Sequence, residues 1–115
     1  MIDNRKSNRY PSLAHAKVSG LQEGEALLRD LSVTGCRLEF SAAIAFSEGT
    51  KYRIKILPES SAAVESFELD AEPRWSRAGY DSFEIGFDIQ SSPKGKSFQR
   101  YVDYLSWRSS QPVQA

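Results

Sequence analysis

The chain is poor in the side chains that make cross-links, metal sites and strongly charged surfaces. It holds one cysteine, Cys36, and one histidine, His15. A single thiol forms no internal disulfide, and one cysteine with one histidine offers no metal-ligand spacing, so no metal is expected and a reducing compartment fits. Net charge is missing as well: 15 basic residues balance 15 acidic ones, which speaks against non-specific attraction to nucleic acid or membrane. No apolar run approaches the roughly 18 residues of a membrane span, and the polar opening MIDNRKSNRY lacks the apolar core of a secretory signal. The expected location is the cytoplasm. No nucleophile with its base, no pair of catalytic carboxylates and no metal cluster can be assembled from the spacing, so an enzyme is not expected.

What remains suits one small folded domain. The 115 residues are 40% hydrophobic, too apolar for a disordered chain and too few for two full domains. Period-two alternation dominates the middle of the chain and predicts half-buried strands. Phe67, Leu69, Ala71, Pro73 and Trp75 alternate with Glu68, Asp70, Glu72 and Arg74. The same holds for Cys36, Leu38 and Phe40, for Tyr52, Ile54 and Ile56, and for Phe83, Ile85, Phe87 and Ile89. On this parity Trp75 shares a face with Phe67 and Leu69 and belongs to the core, while Arg37 and His15 face outward. Weaker strands are expected over Ala14–Ser19 and Glu25–Leu31, where alanine and the Leu27-Leu28 pair blur the pattern. Turn signals at Ser19-Gly20, Glu23-Gly24, Ser47-Glu48-Gly49 and Arg77-Ala78-Gly79 separate the runs. Pro73 places an edge or a bulge in its strand.

The period changes after Ile89. Ser91-Ser92-Pro93 reads as a cap followed by a first-turn proline, and Phe98, Tyr101, Val102 and Leu105 recur at helical spacing, predicting a helix of about four turns. Six short strands and one terminal helix point to an all-β fold, a six-stranded antiparallel Greek-key-like barrel with a C-terminal α-helix over an open end. The expected boundaries are a flexible basic arm over 1–12, the barrel and helix over 13–108, and a disordered tail over 109–115.

Two short motifs stand apart from this scaffold. Arg5-Lys6-Ser7-Asn8-Arg9 has the form RxxxR and lies in the arm, where Arg5, Lys6, Arg9 and Lys17 face Asp3 alone among the first twenty residues. Asp30-Leu31-Ser32-Val33-Thr34-Gly35 has the form DxSxxG and falls between two predicted strands. Given this composition the first arises by chance roughly 0.7 times and the second about 0.05 times. Together, and in this order, they resemble the PilZ domain family of cyclic di-GMP receptors. Gly35-Cys36-Arg37-Leu38, Ile85-Gly86-Phe87 and Arg74-Trp75 are similar to the family's pattern in the later strands, so the resemblance runs from about Arg5 to Trp107. One position departs from it: many members carry a further arginine just before RxxxR, where this chain has Asn4.

The resemblance implies a six-stranded barrel with a C-terminal helix, and a ligand with two phosphodiesters and two guanines. Arginine forks suit phosphate oxygens and the guanine O6/N7 edge, the role expected of Arg5 and Arg9. A carboxylate accepts from guanine N1–H and N2–H, the role expected of Asp30. Ser32 supplies a hydroxyl between base and backbone groups, and Gly35 a positive φ or close approach to the main chain. Arg37 adds a cation at the same rim, and Trp75 is a secondary contact. The expected function is a cyclic di-GMP receptor without cofactor, whose arm closes over the ligand and changes a surface offered to a downstream protein. A PilZ-like adaptor that works by protein contact alone is the alternative reading.

Overall fold

The computed structural model describes residues 8–21, 25–91 and 95–111. Among these residues seven strands and one helix occur, in chain order: β1 Tyr10–Pro11, β2 His15–Val18, β3 Glu25–Leu31, β4 Gly35–Phe40, β5 Tyr52–Leu57, β6 Phe67–Ala78, β7 Phe83–Ser91 and α1 Ser97–Ser109. A single 3-10 turn, Ser60–Ala62, interrupts the connection between β5 and β6. Antiparallel pairing joins β2, β3 and β4 into one meander and β5, β6 and β7 into another. The pairs β2–β5 and β4–β7 then close the ring. This is the expected six-stranded barrel, and closure gives each of its six strands a neighbour on either side. Tyr10–Pro11 is an additional strand, laid against β3 with Tyr10 opposite Leu31 and Pro11 opposite Asp30. The end of the basic arm is thereby pinned to the strand that carries Asp30.

Alternation builds the core as expected. Ala14, Ala16, Val18, Leu28, Leu38, Ile54, Ile56, Leu69 and Ile85 point inward and are buried, whereas His15 and Lys17 are exposed. The helix keeps its predicted stripe: Tyr101, Val102 and Leu105 are buried, and Phe98 and Tyr101 pack their rings against Phe67 of β6. Its start differs from expectation. Ser91 is still in β7, and α1 begins at Ser97 after Gly95, whose φ of 80° suits a residue without a Cβ. Ser92 and Pro93, read as a cap from sequence, lie outside the described residues, as do Glu23-Gly24 and the tail beyond Gln111. Gln111 still donates its N–H to the Arg108 carbonyl.

Three register shifts break the pleat: one leaves Gln90 of β7 extra opposite Asp70 and Ala71, and the other two shape the outer face. Between β3 and β4 the partners run Leu28↔Leu38 and then Asp30↔Arg37, leaving Arg29 as an extra residue. Between β6 and β7 they run Pro73↔Phe87 and then Trp75↔Gly86, leaving Arg74 extra. Each inserted residue reverses the inward and outward sense of the strand beyond it. Strict alternation from Ala26 and Leu28 would aim Asp30 into the core; the bulge turns it outward and seats Leu31 inside. The second bulge corrects the core assignment of Trp75: Pro73 is buried, but Trp75 is 39% exposed. It lies on the outer face over Gly86, where an added Cβ would come within 2.1 Å of the indole. A Gly86→Ala substitution should therefore lift the indole from the sheet and destabilise the barrel by about 1–3 kcal/mol. In a Trp107→Phe background, a red-shifted Trp75 emission and a lower melting temperature are the expected signs.

Candidate functional site

The site grows from the tight turn between β3 and β4. Ser32 is buried at 1% exposure, and its hydroxyl is used locally: Oγ accepts from the N–H groups of Thr34 at 3.2 Å and Gly35 at 3.1 Å. The Ser32 N–H closes the turn on the Gly35 carbonyl at 2.9 Å, and Ile89 N–H holds the Thr34 carbonyl from β7. Serine suits this position because one small side chain supplies the acceptor that two backbone donors lack. Its hydroxyl faces into the turn, so its contribution here is to fix the loop.

Asp30, at the end of β3, receives two guanidinium groups. Arg9 Nη1 donates to Oδ1 at 3.1 Å, and Arg37 Nε lies 3.0 Å from Oδ2. The Arg37 approach is an ion pair but not an aligned hydrogen bond: its Nε is buried and has no hydrogen-bond partner among the described residues. A desolvated donor of this kind is costly until an acceptor comes into line. Gly35 makes room for the arm. A Cβ there would stand 2.8 Å from Arg9 Nη2 and 2.9 Å from the Phe87 carbonyl, so the glycine is required by close approach. Its φ lies outside the left-handed region. Beside it, burial pushes the Cys36 thiol up to about 12, which keeps it protonated and unreactive.

Register extends the site sideways. Pro11, Asp30, Arg37, Gly86 and Trp75 are successive cross-strand partners over five strands, so one lateral row runs from the arm to the indole. At strand spacing, Asp30 and Trp75 are about 15 Å apart along it. Glu84 stands beside the row and takes Arg37 Nη1 at 3.4 Å and Arg77 Nη2 at 2.5 Å. The Arg77 guanidinium lies 5.8 Å from the centre of the Trp75 ring, within cation–π range. The outcome is a shallow outward surface with cations at either end, a carboxylate between two of them, and an aromatic plane.

The sequence matches the PilZ domain over residues 3–106. The chain belongs to the PilZ domain family. Its fold is similar to the Bacillus subtilis inhibitor of motility (MotI/DgrA), with a TM-score of 0.76 at 18% identity over 94% of this chain and 52% of that one. It is also similar to the PilZ domain of YcgR from Escherichia coli, a structure with c-di-GMP, with a TM-score of 0.72 at 17% identity over 93% of this chain and 95% of that one. The chain thus spans about half the length of the motility inhibitor. Among curated protein sequences none is a significant match.

Of the residues expected in the site of this PilZ domain, Arg9, Asp30, Gly35 and Arg37 lie in contact or in register, Ser32 frames their turn, and Trp75 joins them through the second bulge. Arg5 lies outside the described residues. Glu84 and Arg77 were not foreseen, because only strand register brings them to Arg37 and Trp75, and register is not written in local alternation. Among the described residues no cluster of His, Cys, Asp and Glu could hold a metal. No helix among them is long and apolar enough to cross a membrane. A Ser32→Ala substitution should cost about 1–3 kcal/mol, because it strands the Thr34 and Gly35 donors. Urea melts should show this loss, whereas the exposed Val33→Ala should stay within about 0.5 kcal/mol of the parent.

Proposed function

We propose that this PilZ domain is a cytoplasmic receptor for cyclic di-GMP that captures the nucleotide on the outer face of the barrel, between the arm and the β3–β4 turn. The observation that carries the reading is the seat of Arg9. Its guanidinium rests on the bare Gly35 backbone and holds Asp30, so the two motifs meet at one point although 21 residues separate those partners. A dianionic guanine nucleotide complements this surface. Arg9, joined by Arg5, takes phosphate oxygens or the O6/N7 edge, and Asp30 accepts from N1–H and N2–H. The unaligned Nε of Arg37 gains an acceptor, and Trp75 offers its ring to a base. Ser32 acts through the turn it closes.

Energetics favour a division of labour between arm and barrel. Fixing a stretch of chain in one conformation around a ligand costs about 1–2 kcal/mol of backbone entropy per residue. Two charge-assisted contacts return roughly 1.5–3 kcal/mol each. The preformed turn must supply the rest, and here it has a head start, since Tyr10–Pro11 already pair with β3. The arm then closes over a ligand held by the sheet and alters the surface met by a downstream protein.

Calorimetric titration with cyclic di-GMP tests the site. Arg9→Ala and Asp30→Ala should each weaken binding by about 1–3 kcal/mol, and equal affinity for all three proteins would overturn the assignment. Amide exchange of residues 1–9 should slow on saturation; an unchanged rate excludes arm closure.

A further inference from the structure

Strand β6 outruns one of its neighbours. Its pairing with β5 covers residues 67–71 and stops where Tyr52 meets Ala71, whereas its pairing with β7 continues to Ala78 opposite Phe83. Over residues 72–78 one edge of β6 therefore has no strand beside it among the described residues, and residues 74–78 are all exposed. The directions of the free backbone groups follow from the turn. Gly79 N–H donates to the Ser82 carbonyl at 2.7 Å, so Gly79 and Ser82 form a hydrogen-bonded pair, and in an antiparallel ladder such pairs alternate with non-bonded ones. Arg77 and Trp75 accordingly turn their N–H and carbonyl groups to Glu84 and Gly86 of β7. Ser76 and Ala78 turn theirs to the open side, and an exposed row of this kind is a template for a further strand.

The ends of this edge are guarded and its middle is not. Pro73 has no N–H to offer and the Arg74 bulge bends the strand on one side, while the turn at Gly79 ends it on the other. Between them the outer face carries Trp75 and Arg77, with the guanidinium 5.8 Å from the indole centre. A tryptophan and an arginine two residues apart are self-complementary: where two such strands meet antiparallel with Ser76 opposite Ser76, Trp75 of each copy faces Arg77 of the other. The two Ser76 residues then exchange both backbone hydrogen bonds, and the flanking Trp75–Arg77 pairs take the closer, non-bonded positions. Adjacent registers are poorer. A two-fold at Arg77 sets two guanidinium groups directly opposite each other, and a two-fold at Trp75 directs the Ser76 groups at the bulged Arg74. Glu84 holds each Arg77 at 2.5 Å, so the two arginines gather no net charge at the seam.

We propose that the free edge of β6 is a dimerisation edge: two copies of this chain join by a two-fold antiparallel pairing of residues 74–78 centred on Ser76. The β4–β7–β6 sheet of one barrel then continues into β6, β7 and β4 of the other, and the contact is closed, because each copy spends the same edge on its partner. The pairing needs no nucleotide. It also sets Arg77 of the second copy beside Trp75, so the lateral row that begins at Pro11 gains a cation from the other barrel. The seam is shorter than a standard interface, and the dimer is correspondingly weak, with a dissociation constant of about 0.1 mM.

Sedimentation equilibrium of the full chain without nucleotide provides the test. Between about 0.01 and 1 mM protein the mass should climb from that of a monomer toward that of a dimer. Ser76→Pro removes the donor that each copy offers at the two-fold and no donor to β7, as an edge position allows, and should stay monomeric over the same range. Ser76→Cys reports the register. With the two Cα atoms about 5.5 Å apart, mild oxidation should link it into a disulfide dimer, whereas Tyr80→Cys, at a fully exposed position away from the two-fold, should stay unlinked. Cys36 is buried and takes no part. A parent that remains monomeric throughout overturns the proposal, and so does a dimer that Ser76→Pro leaves intact. Equal linking of both cysteine variants also overturns it, since that is the mark of random collision, and this pair decides the matter if Ser76→Pro does not fold.

Discussion

A closed barrel with one packed interior imposes a single rule on its strands: successive side chains go in and out, and a polar group that falls on the wrong beat is driven into the core. The surface of this protein depends on how that rule is broken. At Arg29 and at Arg74 the chain takes one residue more than its partner strand. In both places the extra residue is an arginine, whose long exposed side chain costs the interior nothing. Without the first insertion Asp30 would be an unpaired carboxylate in an apolar core, a loss of several kcal/mol. Without the second, the Trp75 indole would compete with Phe67 and Leu69 for the same volume. The bulges bring these two residues into one cross-strand row with Arg37 between them, and the site is a consequence of that row.

Charge obeys the same geometry. Outward arginines on the sheet stand beside carboxylates: Arg29 beside Glu39, Arg53 beside Glu68 and Asp70, and Arg74 beside Asp88. Exposed pairs of this sort contribute little to stability, about 0–1 kcal/mol each. They do cancel the long-range field, so a dianion is not attracted to the barrel at large. The Asp30 end differs in its balance. One carboxylate there faces both Arg9 and Arg37, and Arg37 meets it out of line, leaving a buried N–H unused.

Sequence made the barrel, its helix and the Arg9–Asp30–Gly35 constellation legible, and what it hid has a common physical origin. Alternation is a local property, so β2 to β7 could be placed from runs such as Tyr52, Ile54 and Ile56. Register is a non-local property, so the partnership of Glu84 with Arg37 and Arg77 could not. Trp75 shows the limit most clearly: its parity with Phe67 and Leu69 was real in the sequence, and Pro73 did announce a bulge, but a bulge reverses parity only once its position is known. The helix start at Ser97 was hidden because Ser91 and Pro93 carry the marks of a cap, while β7 persists through Ser91 and Gly95 makes the turn.

Serines 12 and 32, the polar side chains buried among the described residues, show what polarity is for in an otherwise apolar domain. An apolar residue at either position would pack without demanding a direction, and the turn or the arm could then settle in several nearly equal arrangements. A hydroxyl with every bond used permits one. Ser32 fixes the loop beneath Arg9, and Ser12 orders, through Tyr101, the chain of donors that ends on Glu59, so the segment between them, Tyr10–Pro11 against β3, is clamped at both ends by directional bonds. A segment held in that way is fixed against β3 and α1 together, by strand pairing on one side and by the Ser12–Tyr101 and Arg108–Pro11 bonds on the other.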